Sequence, residues 1–279
     1  MRMRLLALPL IVAFAVLILW PLSSVVIDSF DAKGEVSFGN YTEVLSSAYY
    51  QQSFITTLWI SALTTVIGIV FGILLAIALR ARGRGVRRFA LAFGSMGANF
   101  AGVPLAMAII ILFGMNGFFT ILVGKLGLPG AFNVYSIIGL TIAYCYFQIA
   151  LATLLLTPAF DAVPVEIEEA ASLMGVSSAR FWARIGVPML ARQIVAIAIL
   201  LFANAMGTFA TTFALTGTSV NVVTVAISSL VSGDIFSDPN LANAISLLLL
   251  IVLLVPIIAS QIIAGEKRLG KDPSAGPQR

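Results

Sequence analysis

The chain has 279 residues, 60% hydrophobic and 10% charged, with a mean hydropathy of +1.05 and a formal charge of +4. Soluble domains lie nearer about 45–50% apolar and about 25% charged, so the length is better read as a count of membrane spans than of soluble domains. The absence of histidine and the single Cys145 exclude an intrachain disulfide, the usual structural zinc sets and any Ser–His or Cys–His nucleophile built from this chain.

Six stretches lack Asp, Glu, Lys and Arg and are long enough to span a bilayer: residues 5–27, 54–79, 89–113, 136–160, 193–217 and 241–264. The first follows "MRMR", yet its apolar run is longer than a signal-peptide core of roughly 7–15 residues and no small-residue cleavage site follows, so it is expected to be retained. Pro9, Pro104, Pro158 and Pro256 fall inside or near the ends of these stretches, where neighbouring helices or water can satisfy the carbonyls they free. Cys145 sits in an apolar run with no base nearby and reads as a small core residue.

Placing residues 1–4, 80–88, 161–192 and 265–279 on one side puts 14 of the 16 Lys and Arg there, five of them in "RARGRGVRR". The bias of basic residues toward the cytoplasm then predicts six spans with both termini cytoplasmic. The basic run is short, lies between spans and lacks interleaved aromatics, so a topogenic role is favoured over nucleic-acid binding. The opposite loops, 28–53, 114–135 and 218–240, hold Lys33, Lys125 and six acids and read as solvated. Within the second of them, "GMNGFFTILVGKLGLPG" suits a short amphipathic or re-entrant piece. The expected organisation is residues 1–53 as first span and outer loop, 54–264 as a core of five spans, and 265–279 as a tail.

The 161–192 segment is the longest inside loop and is not linker-like. Pro164 suits a first helical turn, and Glu166, Glu168 and Glu169 sit where the positive end of a helix dipole favours carboxylates. Ala170, Ala171, Leu173 and Met174 favour helix, Gly175 a left-handed stop, and Ser177 the capping of a second helix, "SARFWARIG", that Pro188 helps to end. Ile167, Ala170, Ala171 and Met174 are expected to share an apolar face of partly small residues. Phe181, Trp182 and Ile185 give the second helix an anchor of its own. The residues alone leave two readings open, an amphipathic hairpin on lipid headgroups or a docking element for a protein partner.

"EEAASLMGVSSARFWARIGVPML" resembles the EAA loop of permease subunits in binding-protein-dependent ABC importers, whose pattern is E-A-A, three residues, G, nine residues, I-x-L-P. Here Glu169-Ala170-Ala171, Gly175, Ile185 and Pro188 stand at that spacing, with Val187 in place of the usual Leu. The resemblance extends from about Asn40 to Ala264 and looks closest to permeases for polyamines, aminoethylphosphonate, thiamine and ferric iron. It implies an all-α integral membrane protein with the MetI-like type I importer fold, in the bacterial cytoplasmic (inner) membrane.

It further implies that Glu168 belongs to the ATPase-coupling set, that Glu169 makes polar contacts to a cytoplasmic ATPase, that Ala170 and Ala171 allow close approach, that Gly175 turns the chain, and that Ile185 and Pro188 anchor the segment to the fifth span. The implied partners are two ABC ATPase subunits, a second permease that is homologous or identical, a periplasmic or surface solute-binding protein, and the bilayer, without nucleic acid. The cargo it implies is a small solute, with a polyamine such as spermidine or putrescine, or a related amine or phosphonate, as first choice.

No G-x-x-x-x-G-K-[ST] occurs, so ATP and magnesium are expected on the partner ATPase, and this chain is expected to be no enzyme and to bind no cofactor. A proton-coupled carrier would place Asp, Glu or His inside spans, and none is there; sodium coupling through carbonyls and hydroxyls keeps an ion-coupled secondary transporter as the alternative. Polar side chains within spans are the candidates for a solute path: Asn99, Tyr144, Gln148, Asn204, Thr208, Thr211 and Thr212. Their competing role is interhelical hydrogen bonding. Permeases of the family often carry an acid near the place of Thr208, so the resemblance supplies no cation ligand here.

Overall fold

In apolar surroundings a backbone must satisfy its own polar groups, and this chain does so almost wholly with helices. The computed structural model describes residues 2–32, 34–126, 133–232 and 237–269, and side chains within 14–258 of that set. Lys33, part of the second outer loop and most of the expected 265–279 tail lie outside the described residues.

In chain order the helices begin with α1 (Arg2–Asp28), followed by the two-residue strands β1 (Asp31–Ala32) and β2 (Glu35–Val36). Then come α2 (Gly39–Ser46), α3 (Ala48–Arg80), α4 (Arg84–Asn99), α5 (Val103–Phe113), α6 (Phe118–Lys125) and α7 (Ile137–Asp161). The 161–192 segment holds α8 (Val165–Leu173), α9 (Ser178–Phe181), a π-helical turn (Trp182–Gly186) and α10 (Val187–Met189). The chain continues as α11 (Ala191–Met206), α12 (Ala210–Thr216), α13 (Val223–Ser232) and α14 (Pro239–Leu269). Four helical stretches are long and apolar enough to cross a bilayer: Ala48–Arg80, Val103–Lys125, Ile137–Asp161 and Pro239–Ile258. Ser178–Met189 with Ala191–Met206 makes a fifth candidate, bent by 74°.

The helices form two compact units. The first combines residues 1–57 with 221–254, so it adds a C-terminal stretch to the N-terminal region set apart in the sequence. Its antiparallel hairpin pairs Asp31 with Val36 and Ala32 with Glu35, and Gly34 turns it at φ 88° with its N–H donated to Asp31 Oδ1 at 2.8 Å. Asn40 Nδ2 donates to the carbonyls of Ser29 and Asp31 (3.1 and 3.0 Å), and the Tyr41 and Ser29 hydroxyls meet at 2.6 Å. The "NY" pair of the sequence therefore locks the hairpin to α2. The 218–240 loop, expected to be solvated, contains α13 with Val223, Val225 and Ala226 buried. Thr57 Oγ1 accepts from Val223 N–H at 3.0 Å and so satisfies one of the first donors of that helix. Asp238 caps α14 through Leu241 N–H at 2.9 Å, with Pro239 at the first helical position.

The second unit, residues 58–220 and 255–279, is organised around α7. Residues Leu140, Ala143, Phe147, Ala152, Leu156 and Phe160 are all buried along it. α3 approaches α7 closely through Gly68 and Gly72, a small-xxx-small pair of the kind that lets membrane helices meet. A Cβ on Gly72 would stand 2.7 Å from Ala152 Cβ, and one on Gly68 3.2 Å from the Gln148 backbone oxygen.

Two expected spans are discontinuous. The third is expected at 89–113, but the helix breaks between Asn99 and Val103, where Gly102 takes φ 78° and Pro104 opens α5. A positive φ and a proline without a donor both end the upstream hydrogen-bond ladder. The bilayer-length stretch accordingly shifts to Val103–Lys125, taking in α6 of the suspected re-entrant piece. The fifth, placed at 193–217, breaks between Met206 and Ala210, after Gly207.

Candidate functional site

Residues 164–190 fold as an elbow. Pro164 precedes α8 with φ −58° and ψ 135°, one position earlier than the first helical turn expected for it, and Glu166 and Glu168 occupy that turn. The helix ends in a Schellman motif: Gly175 N–H bonds the Ser172 carbonyl (2.9 Å) and Val176 N–H the Ala171 carbonyl (3.0 Å), with Gly175 at φ 79°. Ser177 has the backbone of a cap at φ −66° and ψ 149°, but its hydroxyl makes no capping bond, contrary to the expectation.

Pro188 does not end the second helix. It lacks the N–H that would bond the Arg184 carbonyl, and the preceding turn widens to π geometry, with Val187 N–H on the Trp182 carbonyl. The bend comes later, at Leu190.

The expected common face on α8 divides. Ala171 is buried in one apolar cluster with Phe181, Trp182 and Leu190, against which Val176 also packs, so its small side chain lets α8 sit on its own chain. Glu169, Ala170 and Gly175 are exposed, and Ile167 and Ile185 are at the margin of exposure. At the tip Leu173 is 89% and Met174 75% exposed. Two adjacent apolar side chains on a capped turn, beside carboxylates, make a surface suited to a protein groove.

The elbow is fastened by a residue that the sequence marked only as topogenic. Arg80, in the last turn of α3, donates Nη1 to the Phe160 carbonyl (2.5 Å) and Nη2 to the Val163 carbonyl (2.8 Å). Its Nε lies 3.5 Å from Glu168 Oε2, and its guanidinium carbon 5.4 Å from the centre of the Trp182 ring. Trp182 in turn stacks on Phe160 at 5.3 Å and meets Phe181 edge-on at 5.3 Å. A Cβ on Gly186 would stand 2.3 Å from Trp182 Cε3, so only glycine admits the ring there. Arg87 pairs with Asp161, joining α4 to α7. A cavity of about 660 Å³ lies beside these groups, lined by Ile77, Arg80, Arg87, Asp161, Glu168 and Trp182.

Of the polar candidates within spans, Tyr144, Thr208 and Thr212 come together: the Tyr144 hydroxyl meets Thr212 Oγ1 at 2.7 Å and donates to the Thr208 carbonyl at 3.1 Å. Thr211 Oγ1 accepts from Gly102 N–H at 2.8 Å, tying the two helix breaks to each other. Gln148 is buried elsewhere on α7, donating to the Leu201 carbonyl at 2.9 Å, and its Oε1 has no partner among the described residues. Tyr144, Gln148, Thr211 and Thr212 thus bond helix to helix. Asn99 and Asn204 are exposed, Asn99 bonding back to the Ser95 carbonyl at 2.8 Å. Phe209 and Phe213 stack at 5.2 Å beyond the second break and are also exposed.

No family model matches the chain. It is 28% identical over 204 residues to the thiamine transport system permease protein ThiP of Escherichia coli (strain K12), covering 73% of this chain and 38% of that one. It is 26% identical over 268 residues to the trehalose transport system permease protein SugB of Mycobacterium tuberculosis (strain CDC 1551 / Oshkosh), covering 92% of each. The chain therefore spans about two fifths of ThiP and nearly all of SugB. Among solved structures, it superposes on a chain of a bacterial ABC transporter that imports the acidic polysaccharide alginate, with a TM-score of 0.78 at 15% identity, covering 95% of both. A chain of the inward-facing MetNI methionine ABC transporter matches at 0.57 and 15% identity, covering 78% of this chain and 97% of that one. The fold is that of ABC-importer permeases of the MetI-like kind.

Proposed function

We propose that the chain is the transmembrane permease subunit of a bacterial ABC importer, with residues 164–190 as the element that receives movement from a separate ATPase. The observation that carries this reading is the exposed tip at Leu173 and Met174, held on a Schellman-capped elbow, within the segment whose residues match the E-A-A…G…I…P spacing. The relatives named above are transport-system permeases, and the fold is shared with importer chains, which supports the same assignment.

In this reading six spans place both termini in the cytoplasm of a bacterial inner membrane. Two ATPase subunits sit beneath a pair of permeases, and a solute-binding protein delivers cargo above. ATP binding draws the ATPases together, the elbow turns as a rigid lever, and the bundles open outward; hydrolysis resets them. Glu169 and Ala170 face the ATPase, Gly175 sets the bend, and Ala171, Ile185 and Pro188 belong to the attachment of the lever to the bundle.

The cargo is a small polar solute. The spans present hydroxyls, amides and aromatic rings rather than carboxylates, which suits a weakly held neutral or cationic molecule. A polyamine remains our first choice, although thiamine and trehalose, the cargoes named for the relatives, suit these groups equally well. The two tied helix breaks, with exposed Asn99, Asn204, Phe209 and Phe213 around them, are the proposed path.

The Glu169 side chain is exposed and makes no hydrogen bond or ion pair among the described residues, so Glu169→Lys should change stability by no more than about 0.5 kcal/mol. Uptake in proteoliposomes with the ATPase and binding protein should fall at least about tenfold, a loss of about 1.4 kcal/mol at a charged contact. Full uptake by this variant would remove the lever from the account. Uptake driven by an ion gradient without ATP would replace the reading with an ion-coupled carrier.

A further inference from the structure

Arg80 is held by two kinds of contact that differ in stiffness. On the bundle side, two guanidinium nitrogens donate to the Phe160 and Val163 carbonyls at 2.5 and 2.8 Å, at and just beyond the last turn of α7. These are charge-assisted bonds to backbone that ends a helix, and the planar fork fixes both at once. On the elbow side, the same side chain faces Glu168 at 3.5 Å and the Trp182 ring at 5.4 Å. These contacts are longer and less directional. The Glu168 side chain is 31% exposed and that of Arg80 13%, and the cavity of about 660 Å³ is lined by Glu168 and Trp182 from the elbow together with Arg80, Arg87 and Asp161 from the bundle. Among the described residues, Arg80 makes the polar contact that joins α8 to α3 and α7; the Arg87–Asp161 pair joins α4 to α7 and leaves the elbow untouched.

We propose that Arg80 is the positioning residue that transmits movement of the α8–α9 elbow to α3 and α7, gripping the bundle through two carbonyls and following the elbow through Glu168 and Trp182. This rests on the elbow being the ATPase-coupling element. Rotation of α8 shifts Glu168 along the edge of the guanidinium, the cavity gives it room, and the carbonyl bonds pull the ends of α3 and α7 together as one body. Lysine in this place keeps the charge but cannot hold both carbonyls and the ring at once.

The test compares Arg80→Lys, Glu168→Gln and Trp182→Phe in proteoliposomes containing the ATPase and binding protein. Membrane level, ATPase co-purification, ATP hydrolysis and uptake are all measured. Arg80→Lys should retain the ATPase and hydrolyse ATP within about twofold of the parent, while uptake per ATP falls at least about tenfold, a coupling loss of the size expected for one link between two sites. Glu168→Gln and Trp182→Phe should each lower that ratio about threefold at a normal membrane level. Should Arg80→Lys fail to fold, the two elbow-side variants decide. An unchanged uptake-to-hydrolysis ratio in them, or uptake and hydrolysis falling in parallel with the folded amount, overturns the proposal and leaves Arg80 as a helix-end cap. If Glu169→Lys uncouples and these variants do not, only this inference fails; if the parent chain recruits no ATPase, the elbow reading fails with it.

Discussion

Gly186→Ala should destabilise the protein by about 1–3 kcal/mol, the usual range for forcing a methyl group into a packed core. The added Cβ would meet Trp182 Cε3 at 2.3 Å and Cζ3 at 2.7 Å. Moving that ring breaks several contacts at once, because it is buried, stacked on Phe160, edge-on to Phe181 and under the Arg80 guanidinium. Displacing it shifts the elbow as well as loosening it, so uptake should fall further than thermal stability in detergent. A second substitution isolates the cause. Trp182→Leu alone costs stability by leaving a cavity, but Gly186→Ala added to it should cost almost nothing more, since the clash has gone. Simple addition of the two losses would show that the contact between residues 182 and 186 is not the reason for glycine there.

Gly72→Leu should cost about 3 kcal/mol or more, and Gly72→Ala about 1–3 kcal/mol. At Gly72 a Cβ would lie 2.7 Å from Ala152 Cβ, 3.1 Å from the Ala152 carbonyl carbon and 3.0 Å from Leu156 Cδ1. Two of these are fixed to the backbone of α7 or one bond from it, so relief requires α3 and α7 to separate. In a bilayer such packing replaces the hydrophobic drive that holds soluble helices together. Gly85→Ala is the control: it lies in α4 with nothing within 4 Å of a Cβ, and it should be neutral or slightly stabilising. Unfolding in detergent, followed by tryptophan fluorescence, reads all three. A Gly72→Leu protein as stable as the parent would mean that α3 and α7 do not meet at this glycine.

What was legible in the sequence was what local chemistry decides. Gly175 and its neighbours announced a left-handed stop, and the two backbone bonds of the Schellman motif are its result. The apolar stretches mark α7 to within a residue at each end and the apolar bodies of α3 and α14, which run on into more polar sequence by up to six residues. The structure departs from the expectation where a donor missing from a proline has more than one remedy: Pro188 is absorbed by a π-turn rather than ending a helix, and Pro104 opens a new helix rather than lying within one continuous span. Ala171 has the small side chain that suits a partner surface, yet it packs inward, because helical spacing tells which residues share a face but not what that face meets.

The fastening of the elbow was hidden for a different reason. Arg80 lies 80 and 83 positions from the carbonyls it holds and within a basic run that reads as a topological signal. The small-residue spacing of Gly68 and Gly72 is a local cue that points to close helix contact, but not to α7 as the partner. The span polar residues were ambiguous between path and glue. The structure shows Tyr144, Gln148, Thr211 and Thr212 bonding helix to helix, while Asn99 and Asn204 stay exposed.

The central claim is that the tip of the elbow enters an ABC ATPase, and the affinity of the purified permease for such an ATPase tests it most directly. Leu173 and Met174 are 89% and 75% exposed, so Leu173→Asp with Met174→Asp should leave the fold and membrane level intact. The account predicts binding weaker by about 30-fold or more, the loss expected when an apolar anchor worth about 2 kcal/mol is replaced by charge. An ATPase that binds the doubly substituted permease as tightly as the parent would contradict it.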